Sequence, residues 1–369
     1  MKNRELFVRD PATSELINNG QARITEGRTE QERKVLRDEL SHFVCEGKYA
    51  DGMIRMLESY LGNLGGSQQP AAWVSGFYGS GKSHMLKMMH HLWVNTEFPE
   101  DGATARTLVP ELPSEIEAAL KELDTQGRRL GGLHAASGTL PAGGLDSVRL
   151  AILGIILRSK DLPETYAQAK FCLYLRGNDF LEPIRKRIES QGKDFLRELN
   201  NLYVSPVLHD ALVEVDPGYG DRKNTRELLK KQFVQPNDLT TADFLAPVKE
   251  VLVEKGQLPC TILLLDEVQQ YIATDDARAT TVVETAEALS KELSCRILLV
   301  GAGQSALGAD TRQLTKLLAR FTINVELQDQ DVEAVTRKVL LRKKPQREAE
   351  LKATLESYSG TCRPITARA

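Results

Sequence analysis

Eight consecutive residues, Gly76-Phe77-Tyr78-Gly79-Ser80-Gly81-Lys82-Ser83, fit the pattern GxxxxGK[ST]. Glycines at this spacing let a backbone wrap closely around an oxyanion with its amide groups pointing inward. The stretch before it, AAWVSG, reads as a strand, and the stretch after it, HMLKMMHHLW, reads as a helix. A helix N-terminus there adds a favourable dipole for negative charge. Lys82 is placed to reach the β- and γ-phosphates of a nucleoside triphosphate, and the Ser83 hydroxyl to ligate magnesium. The expected ligands are therefore ATP and Mg2+, held by Gly76, Phe77, Tyr78, Gly79, Ser80, Gly81, Lys82 and Ser83, with His84 directly behind them.

A second constellation lies much further along the chain. Thr261-Ile262-Leu263-Leu264-Leu265 is an apolar run of the kind that forms a buried strand, and it ends in Asp266-Glu267. At the carboxyl end of a central parallel strand, two carboxylates face the ligand crevice of an open α/β sheet. Asp266 is the candidate holder of Mg2+, together with Ser83. Glu267 is the candidate base that orients or deprotonates an attacking water, which favours hydrolysis over transfer to a small acceptor. The next run, RILLVGAGQ, ends at Gln304, which can hydrogen-bond a γ-phosphate or the lytic water; the alternative is an exposed loop glutamine. Arg320, just before the last strand, has the position of an arginine finger reaching a neighbouring subunit's phosphate. An ordinary surface arginine is its alternative, and Arg312 competes for the role. His90 and His91 are adjacent, so on a helix they face different directions and do not share a metal; with His84 they read as structural.

Positioning these groups requires strands that alternate with helices. Apolar runs at Ala72–Gly76, Gly132–Ala136, Thr261–Leu265, Arg296–Gly301 and Thr322–Leu327 predict a five-stranded parallel sheet. Helical patterns at 81–94, 145–158, 277–293 and 311–319 fall between them. The expected fold is α/β, a doubly wound parallel core of the P-loop type with right-handed crossovers. After the helix at 145–158, about a hundred residues precede the third strand with no convincing strand of their own. Phe180, Ile184 and Ile188 form one helical pattern there. Val248, Val251 and Leu252 form another, with Pro247 at its expected start. A helical insertion over about 160–255 follows from this.

The flanks are helical as well. Residues 1–65 read as an arm, with an Asp10-Pro11 turn and a charged segment from Glu26 to Leu40. Leu36, Leu40, Phe43 and Val44 form one apolar stripe, and Met53, Met56, Leu57, Tyr60 and Leu61 a second. The core is expected over 66–328. Residues 329–369 suggest two helices broken near Pro345, the start of a helical lid, after which TCRPITARA closes no domain. The chain thus reads as a fragment, or an altered end, of a longer protein.

Bulk properties narrow the classes further. With 369 residues, 41% hydrophobic and 27% charged, the composition is that of a soluble globular protein. A formal net charge of −3 excludes the electrostatic footprint of a dedicated nucleic-acid binder. Basic runs at Arg185-Lys186-Arg187 and Arg342-Lys343-Lys344 read as solvated faces, with DNA contact as the sharper alternative. The five cysteines stand singly with no metal-ligand spacing, as expected of free thiols in a reducing cytoplasm. MKNRELFVRD lacks the apolar region of a secretory signal. The run LAILGIIL is eight residues long, where a membrane span needs about 20.

The extra strand after the Asp-Glu strand resembles the AAA+ branch of P-loop ATPases. More closely, the chain resembles the large P-loop ATPase family of BREX phage-defence systems (BrxC/PglY). The resemblance rests on Arg4-Glu5-Leu6-Phe7 with Asp10, on the run from Trp73 to His84, and on Leu265-Asp266-Glu267-Val268-Gln269. Phe77, Tyr78 and His84, with the N-terminal motif, carry it beyond the generic loop. It implies a cytoplasmic, oligomeric bacterial ATPase that works with a DNA methyltransferase and other defence proteins, its link to DNA being indirect and its nucleotide cycle driving assembly or remodelling of the complex. The lid arginine that senses the γ-phosphate in such proteins is not identifiable here. A nucleotide-dependent scaffold with little hydrolysis, and an origin-recognition-like DNA loader, are the alternatives. A small-molecule kinase is disfavoured by Glu267.

Overall fold

The computed structural model describes residues 3–8, 27, 29–141, 147–307, 312–328 and 336–358. Its centre is a sheet of five parallel strands: β1 (Ala71–Ser75), β2 (Leu133–Thr139), β3 (Cys260–Asp266), β4 (Ile297–Gly303) and β5 (Phe321–Glu326), in the order β2-β3-β4-β1-β5. All five expected strands are present, with ends displaced by one to three residues. Strands β1, β3 and β4 are buried along their whole length, which is why each reads as an unbroken apolar run rather than an alternation. The edge strand β5 instead alternates, burying Phe321, Ile323 and Val325 while Thr322, Asn324 and Glu326 face out.

Two helical layers cover the sheet. On one face lie α1 (Glu30–Ser41), α2 (Gly47–Asn63), α3 (Lys82–Val94) and α4 (Ser114–Arg129). Their Leu40, Met53, Tyr60, Met88 and Leu120 share one core with Ala72, Val74, Ile262, Leu264 and Val300. The arm therefore folds onto the sheet as part of the core. Its start is written locally, since Thr29 and Glu32 form a reciprocal capping box. The charged residues before it, the Asp10-Pro11 turn and Glu26 lie outside the described residues.

The opposite face holds α5 (Val148–Arg158), followed by six further helices: α6 (Tyr166–Gly177), α7 (Leu181–Glu189), α8 (Phe195–Asn200), α9 (Pro206–Val215), α10 (Arg222–Gln232) and α11 (Thr241–Leu252). Phe171, Ile184, Phe233 and Phe244 pack in the same core as Trp73, Leu263 and Leu299. The expected helical insertion is thus a layer of the domain. One expectation here is corrected. Pro247 lies inside α11, because the helix already starts at Thr241, where the Thr240 hydroxyl accepts from the Asp243 amide. The fold is completed on this face by α12 (Asp276–Glu292), and by α13 (Arg312–Leu317) before β5.

The last described residues are a five-residue π-helical turn, Thr336–Leu340, and α14 (Pro345–Tyr358), which begins at the expected proline. The start of the chain reaches this region: Phe7 bridges Lys343 antiparallel, and the Lys344 amide donates to the Leu6 carbonyl at 2.9 Å. The tail from residue 359, with Cys362, lies outside the described residues. No described helix is long and apolar enough to cross a membrane.

Candidate functional site

The GxxxxGK[ST] residues connect the exit end of the inner strand β1 to α3. At the first position, a Cβ on Gly76 would stand 2.5 Å from the Ser80 hydroxyl oxygen and 3.1 Å from the Leu327 carbonyl oxygen, so the turn closes only around glycine. Gly81 holds φ 87°, a left-handed conformation, and a Cβ there would sit 1.9 Å from the Tyr49 hydroxyl oxygen. Phe77 and Tyr78 are 45% and 83% exposed, so their rings stand away from the core and contribute backbone to the loop. Ser80 is buried.

Lys82 opens α3 and turns back over the loop, its Nζ donating to the carbonyls of Gly76 at 2.7 Å and Phe77 at 2.9 Å. Burial lowers the pKa of this ammonium, and the Asp266 carboxylate opposes the shift. One residue on, the Ser83 hydroxyl donates to Asp266 Oδ2 at 2.5 Å, across 183 residues of sequence. Asp266 ends β3 and is buried; its other oxygen accepts from the Glu267 amide at 2.9 Å. The two constellations singled out from the sequence therefore meet in one place. Glu267 holds φ 57° at the junction between β3 and the short helix Val268–Ile272. Its carboxylate takes no hydrogen-bond or ion-pair partner among the described residues.

His84 packs its ring edge-on against Phe43 of the arm at 5.7 Å, and burial lowers its pKa. His90 and His91 are buried along α3. Gln304 lies just past the end of β4, exposed at its side chain. Its amide is held by Gln269 Oε1 at 2.6 Å, which also accepts from the Ser305 amide at 2.8 Å. Arg320 is elsewhere. The Arg320 carbonyl accepts from the Ala71 amide at 3.0 Å, at the entry ends of β1 and β5. The glycine loop leaves the exit end of β1, four residues and ~13 Å away. The Arg320 guanidinium pairs with Glu287 of α12 at 2.6 Å. Arg312 is 3.7 Å from Asp276 and 81% exposed.

Sequence reasoning missed three partners of this site. Tyr49 donates its hydroxyl toward the Ser80 and Gly81 carbonyls at 3.1 and 2.9 Å. Lys87, one turn after Ser83, forms a buried ion pair with Glu39 of the arm at 2.6 Å. Gln269 fastens the end of β4. Tyr49 precedes Met53 by four residues and so lies one turn before the second stripe on the same face, but nothing in the residue types names its backbone partners. For Lys87 the signal was a charge amid an apolar helix. No protein-family model matches the chain, and no curated protein matches it.

Proposed function

We propose that this protein binds ATP with Mg2+ at the loop 76–83 and hydrolyses it, as a doubly wound P-loop ATPase of the AAA+ branch. The observation that carries the reading is the Ser83–Asp266 contact, which joins a GxxxxGK[ST] serine to a strand-end carboxylate. The strand order supports it too: β1 and β3 end on the same edge of the parallel sheet with β4 between them, and ligands of open α/β sheets bind outside the carboxyl ends of the strands. A hydroxyl and a carboxylate in contact are hard oxygen donors, so the residues present fit magnesium. Ser83 and Asp266 would hold the ion, which would supply neutralisation of the charge that develops on the phosphate.

In this reading Lys82 exchanges its two loop carbonyls for phosphate oxygens, which better satisfy a half-buried ammonium. Asp266 keeps Ser83 oriented through the exchange. Glu267, unpaired and beside Asp266, takes the proton of the attacking water. Gln304 orients that water or the γ-phosphate from the adjacent strand. The resemblance of the N-terminal motif and loop to the BREX ATPases supports a narrower reading, in which nucleotide state drives assembly of a phage-defence complex with a methyltransferase.

The deciding experiment is titration calorimetry with Mg-ATP on wild type and Lys82→Ala. Binding by wild type, lost in a Lys82→Ala protein of unchanged far-UV circular dichroism, is the expected outcome. Equal affinity in the two would refute the site. The pairing of Arg320 with Glu287 favours one second reading, a nucleotide-gated scaffold with little turnover; phosphate release by wild type at saturating ATP separates it from the first.

A further inference from the structure

The arm touches the glycine loop at a point where no ligand group has been assigned. Tyr49, at the start of α2, reaches the carbonyl oxygens of Ser80 and Gly81 at 3.1 and 2.9 Å with its single hydroxyl hydrogen. These two carbonyls belong to the peptide units whose nitrogens are Gly81 N and Lys82 N. A trans peptide is planar, with its C=O and N–H opposed. The Gly81 carbonyl also takes the first helical bond, from the Met85 amide at 2.8 Å. The Tyr49 donor therefore acts beside that bond at Gly81, and is the side-chain donor at Ser80, in setting where the Gly81 and Lys82 amides point. The first N–H groups of a helix lack intrahelical acceptors, and these two donate to no backbone carbonyl among the described residues. They are free to serve a ligand inside the loop.

We infer that Tyr49 is a positioning residue for the phosphate cradle, aiming the Gly81 and Lys82 amides from the far side of their own peptide planes. This rests on the reading of the loop as a phosphate site. Hydrogen bonding at a carbonyl also polarises the N–H of the same peptide unit, so the two amides become stronger donors as well as better aimed. The phenol is not free to swing away. It is buried, Phe43 packs edge-on against it with centroids 6.2 Å apart, and Gly81 leaves room for it where any Cβ would collide. The helix that carries the amides is itself tied to the arm through the buried Lys87–Glu39 pair. The arm thus sets the geometry of the loop.

The test is Tyr49→Phe, which keeps the ring and its packing and deletes the hydroxyl. Calorimetry with Mg-ATP and with Mg-pyrophosphate is run beside wild type and Lys82→Ala, at a temperature where all three are folded. One hydrogen bond's net worth predicts roughly a three- to tenfold loss of affinity, equal for the two ligands because the defect lies in the cradle. Backbone NMR supplies a readout that a purely structural role would not move: the ATP-induced downfield shifts of the Gly81 and Lys82 amide protons shrink in Tyr49→Phe. Wild-type affinity in Tyr49→Phe, beside a non-binding Lys82→Ala, overturns the inference alone. So does a loss of affinity that leaves the two amide shifts untouched. Absence of binding by wild type removes the phosphate site itself, and the inference with it.

Discussion

Glu267 occupies a left-handed backbone conformation at φ 57°, where a residue with a Cβ pays on the order of 1–2 kcal/mol. Strain of this kind persists where surrounding structure imposes it, and here β3 ends in the Asp266 contacts that hold the junction. The consequence is a carboxylate beside Asp266 with no partner among the described residues, a suitable state for the base proposed above. Replacing Glu267 by Gln keeps shape and hydrogen-bonding capacity but removes the base. Turnover should fall at least ~10²-fold while Mg-ATP still binds, read by steady-state phosphate release against calorimetry. Turnover equal to wild type would move the base elsewhere. At this scale the sequence was legible where a motif fixes both residue type and backbone shape, as in Gly81-Lys82-Ser83. The Tyr49 phenol was not, because its partners are backbone carbonyls, which leave no trace in residue identity.

Among the elements, α3 carries the most information, since it begins at the site and ends in the core. Lys87 and Glu39 are 2% and 7% exposed at their side chains and 2.6 Å apart, joining α3 to the arm helix α1. Burying two charges is compensated only while both are present. Lys87→Met should therefore cost about 3–5 kcal/mol in urea denaturation, and the Glu39→Leu/Lys87→Met double variant should recover most of it. If the single change costs no more than an exposed pair, about 0–1 kcal/mol, the pair does not anchor the arm. Strands were the legible elements because burial on both faces compresses them into short apolar runs. Helix α4 was overlooked: its apolar Ile116, Leu120 and Leu123 are spaced among charges, and it follows a loop rather than a strand. Pro247 misled about α11 for a related reason. A proline favours a helix start, but the Thr240 cap placed that start earlier.

At the scale of the whole molecule, the placement of Arg320 bears on whether a second subunit completes the proposed site. It lies at the entry ends of β1 and β5, so the sheet separates it from the loop in the same chain. The part in phosphate chemistry proposed for it is therefore at the site of a neighbouring subunit. Of the other basic groups singled out, Arg185 and Arg187 pair with Glu182 and Glu214, while the backbone of Arg342 and Lys344 bonds to the start of the chain. Arg320 is engaged too, with Glu287 at 2.6 Å. A trans role therefore requires it to exchange that carboxylate for a phosphate oxygen, a swap between two charge-assisted bonds. Trans arginines contribute roughly 10³–10⁵ in rate in related phosphoryl transfers. A smaller effect is expected here, since the Glu287 contact must be given up. The measurement is a mixing experiment. Lys82→Ala protein should be inactive alone and Arg320→Ala protein slowed, while mixed assemblies contain interfaces with an intact lysine on one side and an intact arginine on the other. Phosphate release should exceed that of either protein in the mixture and rise with total protein concentration. A mixture no faster than its components while wild type turns over, or a wild type that hydrolyses ATP as a monomer at every concentration, would reduce Arg320 to a strut between α12 and the sheet.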